Sequence, residues 1–571
     1  LAGMGVIYTG LNQALEHDFG LFMSMTYLVM FIALWLIFRH LKLVVATGGV
    51  IAVGTIVCLG TYGLMGHRLN MVTVLLPTLV IVLGIADAVH FPAALLAELK
   101  ETTDRRQALI SGLSKILVPC LMTTLTTMVG FLALTTSPMA AIRELGIFAA
   151  VGVGSALLAC TVLMSVAFLY LKDGLELPKY RGIEPFMGWC ARALRQRRQL
   201  LVVVVFALVG FSAYGASQLQ ADTYTLGYLP DDHQVVVDHQ TIESQWGHYF
   251  PVELIVRPRK SDAIPAAAVL NATEQFEREV SKRQAVSNSL SLARMYRRVL
   301  SAQSKNHVAQ TPFDDQQIKS VHAQLTQSMG RLEWSPDKPG YDDNIFARLM
   351  TPDGSMLRIT LIAGMASSSK IAHELDSILE LAKDVYGDLA TVEAAGYVPL
   401  YVQIVEYILQ SQRQAFVLAL ALIFVLMVIW LRSIRLALIS VVASALPVGM
   451  MLSVMYGLGQ SLDIASATIA AIVLGVAIDD TIHFLYHWQR CEESQMNWDQ
   501  SLDYTYEHAG VPAVITTALL MVGFPVLMLA SVKSVFYFGL LTTVAAFAAL
   551  FCDLFVLPLL LKAWPAKPST T

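Results

Sequence analysis

Charge is scarce in this sequence of 571 residues, because charged side chains make up only 14% of it while 56% of the residues are hydrophobic. Soluble globular domains carry about 25% charged residues, so this composition excludes a protein that is soluble along its whole length. Basic residues are not in excess either, since the net charge is −4, which argues against a nucleic-acid partner. The composition is typical of a chain divided between lipid and water.

Cysteine is also rare. The chain has six cysteines, and none of them lies in the long polar segment in its middle. Their positions match neither a disulfide framework in that segment nor the spacing of a metal site. The sequence therefore predicts no metal and no other cofactor.

Long apolar runs, in contrast, recur along the chain. A helix needs about 20 apolar residues to cross the hydrocarbon core of a bilayer. The sequence predicts eleven such spans, at 20–38, 43–65, 71–96, 116–136, 145–171, 199–219, 414–431, 436–458, 464–487, 512–531 and 535–561.

Lysine and arginine are concentrated in the short loops of one side. Segment 172–198 carries seven basic residues against three acidic ones, and the turns at 39–42 and 432–435 and the loop at 100–106 are also basic. Cytoplasmic loops carry such an excess, so we expect these loops inside and block 220–412 outside.

An internal repeat relates the two ends of the chain. Segment 119–131 matches segment 512–524 at seven of thirteen positions, with an offset of 393 that also relates Arg39 to Arg432. A constant offset across polar positions indicates a duplicated unit of six helices. Because the second copy includes the span at 199–219 and the polar block, we expect about 195 residues upstream of Leu1, with one more span and one more domain, and twelve spans in the full protein.

The polar block reads as a folded α+β domain. Strand signals alternate with amphipathic helices in the order of a split βαβ fold, with an extra helical insertion at about 285–340. The predicted strands are 252–257, 346–350, 357–362 and 389–396, the middle two being joined as a hairpin by the turn at 352–354, and the predicted helices are 266–283, 313–329 and 368–386.

Few ionisable side chains lie at membrane depth. They are Asp87, Asp479, Asp480, Asp553, His90 and His483. A charge at the bilayer centre costs at least ~2.5–3.5 kcal/mol, so such residues usually face a bundle interior. Asp-x-x-His occurs at 87–90 and again at 480–483, a spacing that puts both side chains on one helical face. Ala86 stands where the second copy has Asp479.

These acids suit a proton-driven device. A carboxyl in a low-dielectric bundle takes up a proton more readily than one in water. Thr123, Thr124, Thr516 and Thr517 lie in the spans that follow the acidic ones and are candidate hydrogen-bond partners. A purely structural bond between helices is the alternative, and threonine can also bond its own helix backbone. For Asp553 a relay position and a local cap near its helix end are both open.

Two enzyme interpretations are disfavoured. His483 and His487 form H-x-x-x-H, but the further histidines that a membrane metalloenzyme needs are too few, and an edge position for His487 beside Trp488 is preferred. An intramembrane aspartyl protease could use Asp87 and Asp480, yet neither has the usual Gly-x-Gly-Asp surroundings.

The acidic motifs carry a family resemblance. Gly84-Ile-Ala-Asp87 and Gly475-Val-Ala-Ile-Asp-Asp480, in six-helix repeats with a domain after each first helix, resemble the resistance–nodulation–division (RND) superfamily, and Tyr228-Leu-Pro-Asp-Asp-His233 is similar to the start of its porter domain. The near-symmetric acids are more similar to the MMPL-type and hopanoid-transporter branch than to drug-efflux pumps, whose second-half lysine is missing here.

The resemblance implies a fold and a division of the chain. The fold is a polytopic α-helical membrane protein with an α+β ferredoxin-like (split βαβ) periplasmic porter domain. The expected parts are 1–19, the end of a first porter domain; 20–171, helices 2–6 of the first repeat; 172–198, a cytoplasmic linker; 199–219, helix 7; 220–412, the periplasmic porter domain; 413–562, helices 8–12; and 563–571, a cytoplasmic tail.

The resemblance also implies a function, which is export of hydrophobic or lipid-like substrates from a bacterial inner membrane, driven by the proton-motive force and without enzyme chemistry. The carboxyls of Asp87, Asp479 and Asp480 would form the proton relay, and the change to Ala86 weakens the share of the first half. The full predicted relay is Asp87, Asp479, Asp480, His90, His483, Thr516, Thr517 and Asp553.

Two kinds of protein partner are compatible with the resemblance, a second copy of the chain in a homo-oligomer or periplasmic accessory proteins. Two alternatives are a sterol-sensing-like receptor that binds lipid without pumping, and a proton-driven accessory subunit of protein secretion.

Overall fold

The computed structural model describes residues 3–99, 102, 104–170, 182–260, 262–303, 311–329 and 348–565. It divides into two compact units. The sheet unit comprises Leu1–Thr9, Asp222–Gly227 and Asp231–Glu406, and the helical unit comprises Gly10–Ala221, Tyr228–Pro230 and Tyr407–Thr571.

Eleven helices in the described part of the chain are long and apolar enough to cross a membrane, as the sequence predicts. Each overlaps one of the predicted apolar runs, although several begin 11 to 17 residues before it. The first six long helices, with the short amphipathic helix α6 between the fifth and the sixth, are α1 (Met4–Phe38), α2 (Leu41–Leu64), α3 (Thr73–Leu96), α4 (Arg105–Thr136), α5 (Ala140–Tyr170), α6 (Ile183–Gln196) and α7 (Arg198–Gln218).

The sheet unit is an antiparallel sheet covered by helices. Its strands lie in the order β2-β3-β1-β4, the arrangement of a split βαβ fold. Its elements in chain order are α8 (Gln234–Trp246), β1 (Phe250–Pro258), α9 (Ala267–Val280), β2 (Val286–Leu290), α10 (Leu292–Gln303), α11 (Asp315–Met329), β3 (Leu357–Ala363), α12 (Ser368–Tyr386) and β4 (Ala390–Ala395).

Alternation along β1 places the core of the sheet unit. Val252, Leu254 and Val256 are buried, and they share a hydrophobic core with Phe276 of α9 and Tyr386 of α12. Successive strand residues point to opposite faces, so three alternate apolar residues suffice to make one face of the strand a core face.

One predicted strand is wrong. Of the segment 346–350, residues 346 and 347 lie outside the described part, and Met350 makes only a single bridge to Leu357. The fourth strand is instead β2, inside the segment predicted to be a helical insertion. The turn before β3 is present, because Gly354, with φ of +65°, donates its N–H to the carbonyl of Thr351 at 3.0 Å.

The last five long helices reproduce the first five. They are α13 (Tyr397–Leu431), α14 (Ile434–Gly457), α15 (Ser466–Glu493), α16 (Trp498–Leu529) and α17 (Lys533–Ala563). Each begins 393 residues after its counterpart, and all but α15 also end at that offset. Even the left-handed backbone of Arg39, with φ of +50°, recurs at Arg432, with φ of +48°.

Small residues bring the two copies together where α4 meets α15. A Cβ on Gly130 would lie 2.9 Å from the carbonyl oxygen of Ala471 and 3.2 Å from the Cα of Gly475. The Thr127 hydroxyl donates to the Gly475 carbonyl at 3.2 Å across the same contact. Small residues allow such close approach of helices in membranes, where packing and hydrogen bonds drive association.

Candidate functional site

Asp480 lies inside the helical unit on α15, with only 9% of its surface exposed. Two consecutive threonines of α16 hold its carboxyl. The Thr516 hydroxyl donates to Oδ1 at 2.9 Å, and the Thr517 hydroxyl donates to Oδ2 at 3.3 Å. Each oxygen therefore has its own hydroxyl partner, and the structure brings together three residues of the predicted relay.

The carboxyl of Asp480 borders a small, mostly apolar cavity of about 20 Å³. Helices α15, α16 and α17 of the second copy enclose it, and the polar members of its lining are Asp480, Thr517 and Thr542. A buried polar group among apolar walls is costly unless it is hydrogen-bonded, which the two threonines accomplish.

Asp479 borders a different and smaller cavity, of about 10 Å³. The neighbouring positions on a helix diverge by about 100°, so consecutive acids on α15 cannot face the same way. The lining of this second cavity comes largely from the first copy and includes Thr123, Thr124 and Thr127 of α4. The packing of α4 on α15 explains this, because Asp479 lies one turn after Gly475 and Thr123 lies one turn before Thr127.

Asp553 is 2% exposed and lies in a π-helical turn, Cys552–Val556, within α17. The hydroxyl of Thr481 on α15 donates to its Oδ1, and Oδ2 has no hydrogen-bond partner among the described residues. This bond joins two helices, and it places Asp553 against the residue that follows Asp480.

His90 and His483 stack on each other, with ring centroids 4.6 Å apart and an angle of 27° between the rings. Both are buried, and the Nε2 atom of each has no hydrogen-bond partner in the described part of the structure. The stack joins α3 to α15, so the two Asp-x-x-His motifs meet at their histidines. The side chains of Asp87 and Ala86 lie outside the described part.

Sequence reasoning missed two residues that matter in this unit. Thr481, the partner of Asp553, lies in the same span as Asp480 and not in a following span, so the sequence pattern does not single it out. Asp18 of α1 is fully buried and accepts hydrogen bonds from the Ser531 N–H at 2.9 Å and the Ser531 hydroxyl at 2.7 Å. The sequence offers no clear signal for it, because Asp18 precedes the apolar run at 20–38 and follows Glu16 and His17.

Comparisons with known proteins agree with this architecture. A solved structure, the hedgehog release protein Disp from the water bear Hypsibius dujardini, is similar with a TM-score of 0.69 and 12% identity, over 97% of this chain and 71% of that one. At that identity the likeness shows the fold alone. The putative membrane protein MJ1562 of Methanocaldococcus jannaschii is 22% identical over 379 residues, which are 64% of this chain and 89% of that protein.

Two family models match the chain. The sterol-sensing domain of SREBP cleavage-activation matches residues 36–173, and the MMPL family matches residues 261–564, which is more than half of the chain. The predicted relation to RND-type and MMPL-type proteins is confirmed. The chain belongs to the MMPL family of multi-pass membrane transporters.

Proposed function

We propose that the chain exports hydrophobic or lipid-like molecules out of a bacterial inner membrane, driven by the proton-motive force. In this proposal the sheet unit is a periplasmic porter domain, and the predicted relay residues carry the protons. The basic loops support this orientation. Arg432, Arg435 and the arginines of α6 lie in short connections between long helices, and cytoplasmic loops carry an excess of such residues.

The observation that carries the proposal is the carboxyl of Asp480 between Thr516 and Thr517. A threonine hydroxyl is both a donor and an acceptor. It donates to an ionised carboxylate, and after protonation of the acid it can accept from the new O–H. The site therefore serves both states of Asp480 without a rearrangement of the backbone, as a proton carrier requires.

The arrangement of the acids supports coupling of protons to movement. Asp480 borders a cavity of the second copy, whereas Asp479 borders a cavity shared with α4 of the first copy. A proton on Asp479 changes the charge at the boundary between the copies, and repeats of this kind move against each other in alternating access. A membrane potential supplies about 2.3 kcal/mol per charge per 100 mV, enough to bias a two-state equilibrium.

A proteoliposome experiment tests this proposal. The purified chain is reconstituted in phosphatidylethanolamine and phosphatidylglycerol with a fluorescent phospholipid, a fluorescent sterol or a fluorescent fatty acid, and a pH gradient is imposed. We expect gradient-dependent movement of at least one probe with the wild type, loss of it in Asp480→Asn, and its retention in Asp499→Asn. Asp499 is the matched control, because it is an exposed acid paired with Arg195 at 2.9 Å. Equal movement by Asp480→Asn and the wild type would refute the proposal.

A receptor is the second candidate, and the match of residues 36–173 to a sterol-sensing domain favours it. A receptor binds lipid without moving it. Sterol binding that is equal in the wild type and Asp480→Asn, with no movement of any probe under a gradient, would support the receptor and contradict the exporter.

A further inference from the structure

We infer that four histidines form a proton path between the buried acids and the surface of the helical unit. We call His90, His483, His487 and His508 the histidine file. The inference rests on the proposed function and extends it, because it assigns a role to His487 and His508, which lie outside the predicted relay.

Two ring contacts and one turn of α15 link the four side chains. The stacked rings of His90 and His483 have centroids 4.6 Å apart. His487 lies four residues after His483, which puts both on the same face of α15. The centroids of His487 and His508 are 5.6 Å apart. Asp480 lies three residues before His483, so the file begins one turn from the acid.

Exposure increases in the same order. His90 and His483 are buried, His487 is half-buried and His508 is exposed. The file therefore connects the interior of the helical unit with its surface, at the end of α15 where Arg435 pairs with Glu492 at 2.6 Å. In the proposed orientation this end faces the cytoplasm.

The ring nitrogens are available for proton transfer. Nε2 of His90, Nε2 of His483 and Nδ1 of His487 are buried and have no hydrogen-bond partner in the described ranges. In His508, Nδ1 lies 2.9 Å from the carbonyl oxygen of Tyr504, which can only accept, so Nδ1 carries a hydrogen and Nε2 is left to take up a proton.

Two tyrosines and an arginine flank the file. Its neighbours are Tyr486, which carries Arg490 over its ring at 4.5 Å, and Tyr504, which stacks on His508 at 4.0 Å. Among the described residues, no group of three or more His, Cys, Asp or Glu side chains is placed to hold a metal ion.

Each transfer is balanced within one imidazole. A proton arrives at the free nitrogen, the proton on the other nitrogen leaves toward the next ring, and exchange of the two tautomers resets the ring. Protonation of both stacked rings would put two like charges 4.6 Å apart, so the His90–His483 pair passes one proton at a time.

The test measures how fast protons move. The full chain is reconstituted with a pH-sensitive dye inside the liposomes, and proton flux is followed after a pH gradient is imposed in the presence of the transported probe. We expect His487→Phe and His508→Gln each to slow the flux by about 100-fold, the lower range for loss of a positioned proton-transfer group. Added imidazole should restore flux to His508→Gln, since an exposed position admits a soluble carrier, and much less to His487→Phe.

His67→Gln is the matched control, because His67 lies in the helical unit but outside the file, paired with Glu144 at 3.1 Å. It should keep the wild-type flux. If both file variants also keep it while Asp480→Asn abolishes it, the file is refuted and the exporter stands. If the wild type shows no gradient-driven flux, or Asp480→Asn keeps all of it, the proposed function fails as well. Circular dichroism and elution volume show whether each variant is folded.

Discussion

Replacement of Gly130 by alanine tests the contact that fixes α4 on α15. The added methyl group would lie 2.9 Å from a backbone oxygen and 3.2 Å from the Cα of Gly475, and neither atom can rotate away. Insertion of a methyl group into a tightly packed contact costs about 1–3 kcal/mol. We therefore expect Gly130→Ala to lower the free energy of unfolding by that amount and to separate the two helices.

Two further glycines give a graded series. A Cβ on Gly475 would meet its nearest atom, the Cα of Thr127, at 3.3 Å, so Gly475→Ala should cost less than Gly130→Ala. Gly60 of α2 is exposed and a Cβ there would meet nothing within 4 Å, so Gly60→Ala should keep or slightly raise stability, by at most about 1 kcal/mol. Gly60→Ala is the control for helix propensity.

The assay is thermal unfolding of the purified chain in detergent, followed by tryptophan fluorescence. The expected order of midpoints, from lowest to highest, is Gly130→Ala, Gly475→Ala and Gly60→Ala. Because the contact also sets Asp479 beside Thr123, transport by Gly130→Ala measured well below its midpoint should fall further than transport by Gly475→Ala. A Gly130→Ala midpoint equal to that of Gly60→Ala would refute the packing argument.

Three other buried polar groups give predictions. Asp18→Ala removes the acceptor of the Ser531 N–H and hydroxyl and should cost about 1.5–3 kcal/mol in the same thermal assay, with a smaller loss for Asp18→Asn, which keeps one oxygen. Thr481→Val leaves the buried carboxyl of Asp553 without its hydroxyl partner and should lower stability by about 1–3 kcal/mol, whereas Thr481→Ser should not, and equal midpoints would contradict this. In the sheet unit, burial raises the pKa of Glu277 above its usual 4.5. Its contribution to stability is therefore complete below that value and is lost as the pH rises through the folded pKa, so Glu277→Gln should weaken the pH dependence of hydrogen-exchange protection in β2 above pH 4.5.

The helices were predictable because a helix needs about 20 apolar residues to cross the hydrocarbon core of a membrane. Every apolar run of sufficient length became a helix, and the offset of 393 that relates Arg39 to Arg432 in sequence also relates the helix bounds. Three of the four strands, β1, β3 and β4, carry enough apolar or alternating residues to be recognised from sequence.

The second strand could not be found in this way. Val286-Ser-Asn-Ser-Leu290 has apolar residues only at its two ends, so it lacks the alternation that indicates a strand. It lies at the edge of the sheet, beside β3 alone, where pairing requires only a backbone of suitable shape. Pairing with β3 makes this segment a strand, and the intrinsic strand propensity of its residues does not.

The candidate site was predictable in composition but not in geometry. Acids in apolar helices are recognisable at once, whereas the side that each acid faces depends on packing. The sequence could not show that Asp479 and Asp480 border separate cavities, or that the π-helical turn brings Asp553 to Thr481. A π-helical turn also occurs in the first copy, at Cys160–Met164, but that turn contains no acidic residue.

The two copies share their helix bounds but not their acids, since Ala86 and Cys160 stand where the second copy has Asp479 and Asp553. Duplication conserves architecture more strictly than chemistry, because every helix must fit its neighbours while one set of titrating groups can serve both halves. The halves are therefore no longer interchangeable. A chimera with two second halves would keep the shape of the bundle and raise the number of these acids from four to six, whereas one with two first halves would keep the shape and lack both Asp479 and Asp553.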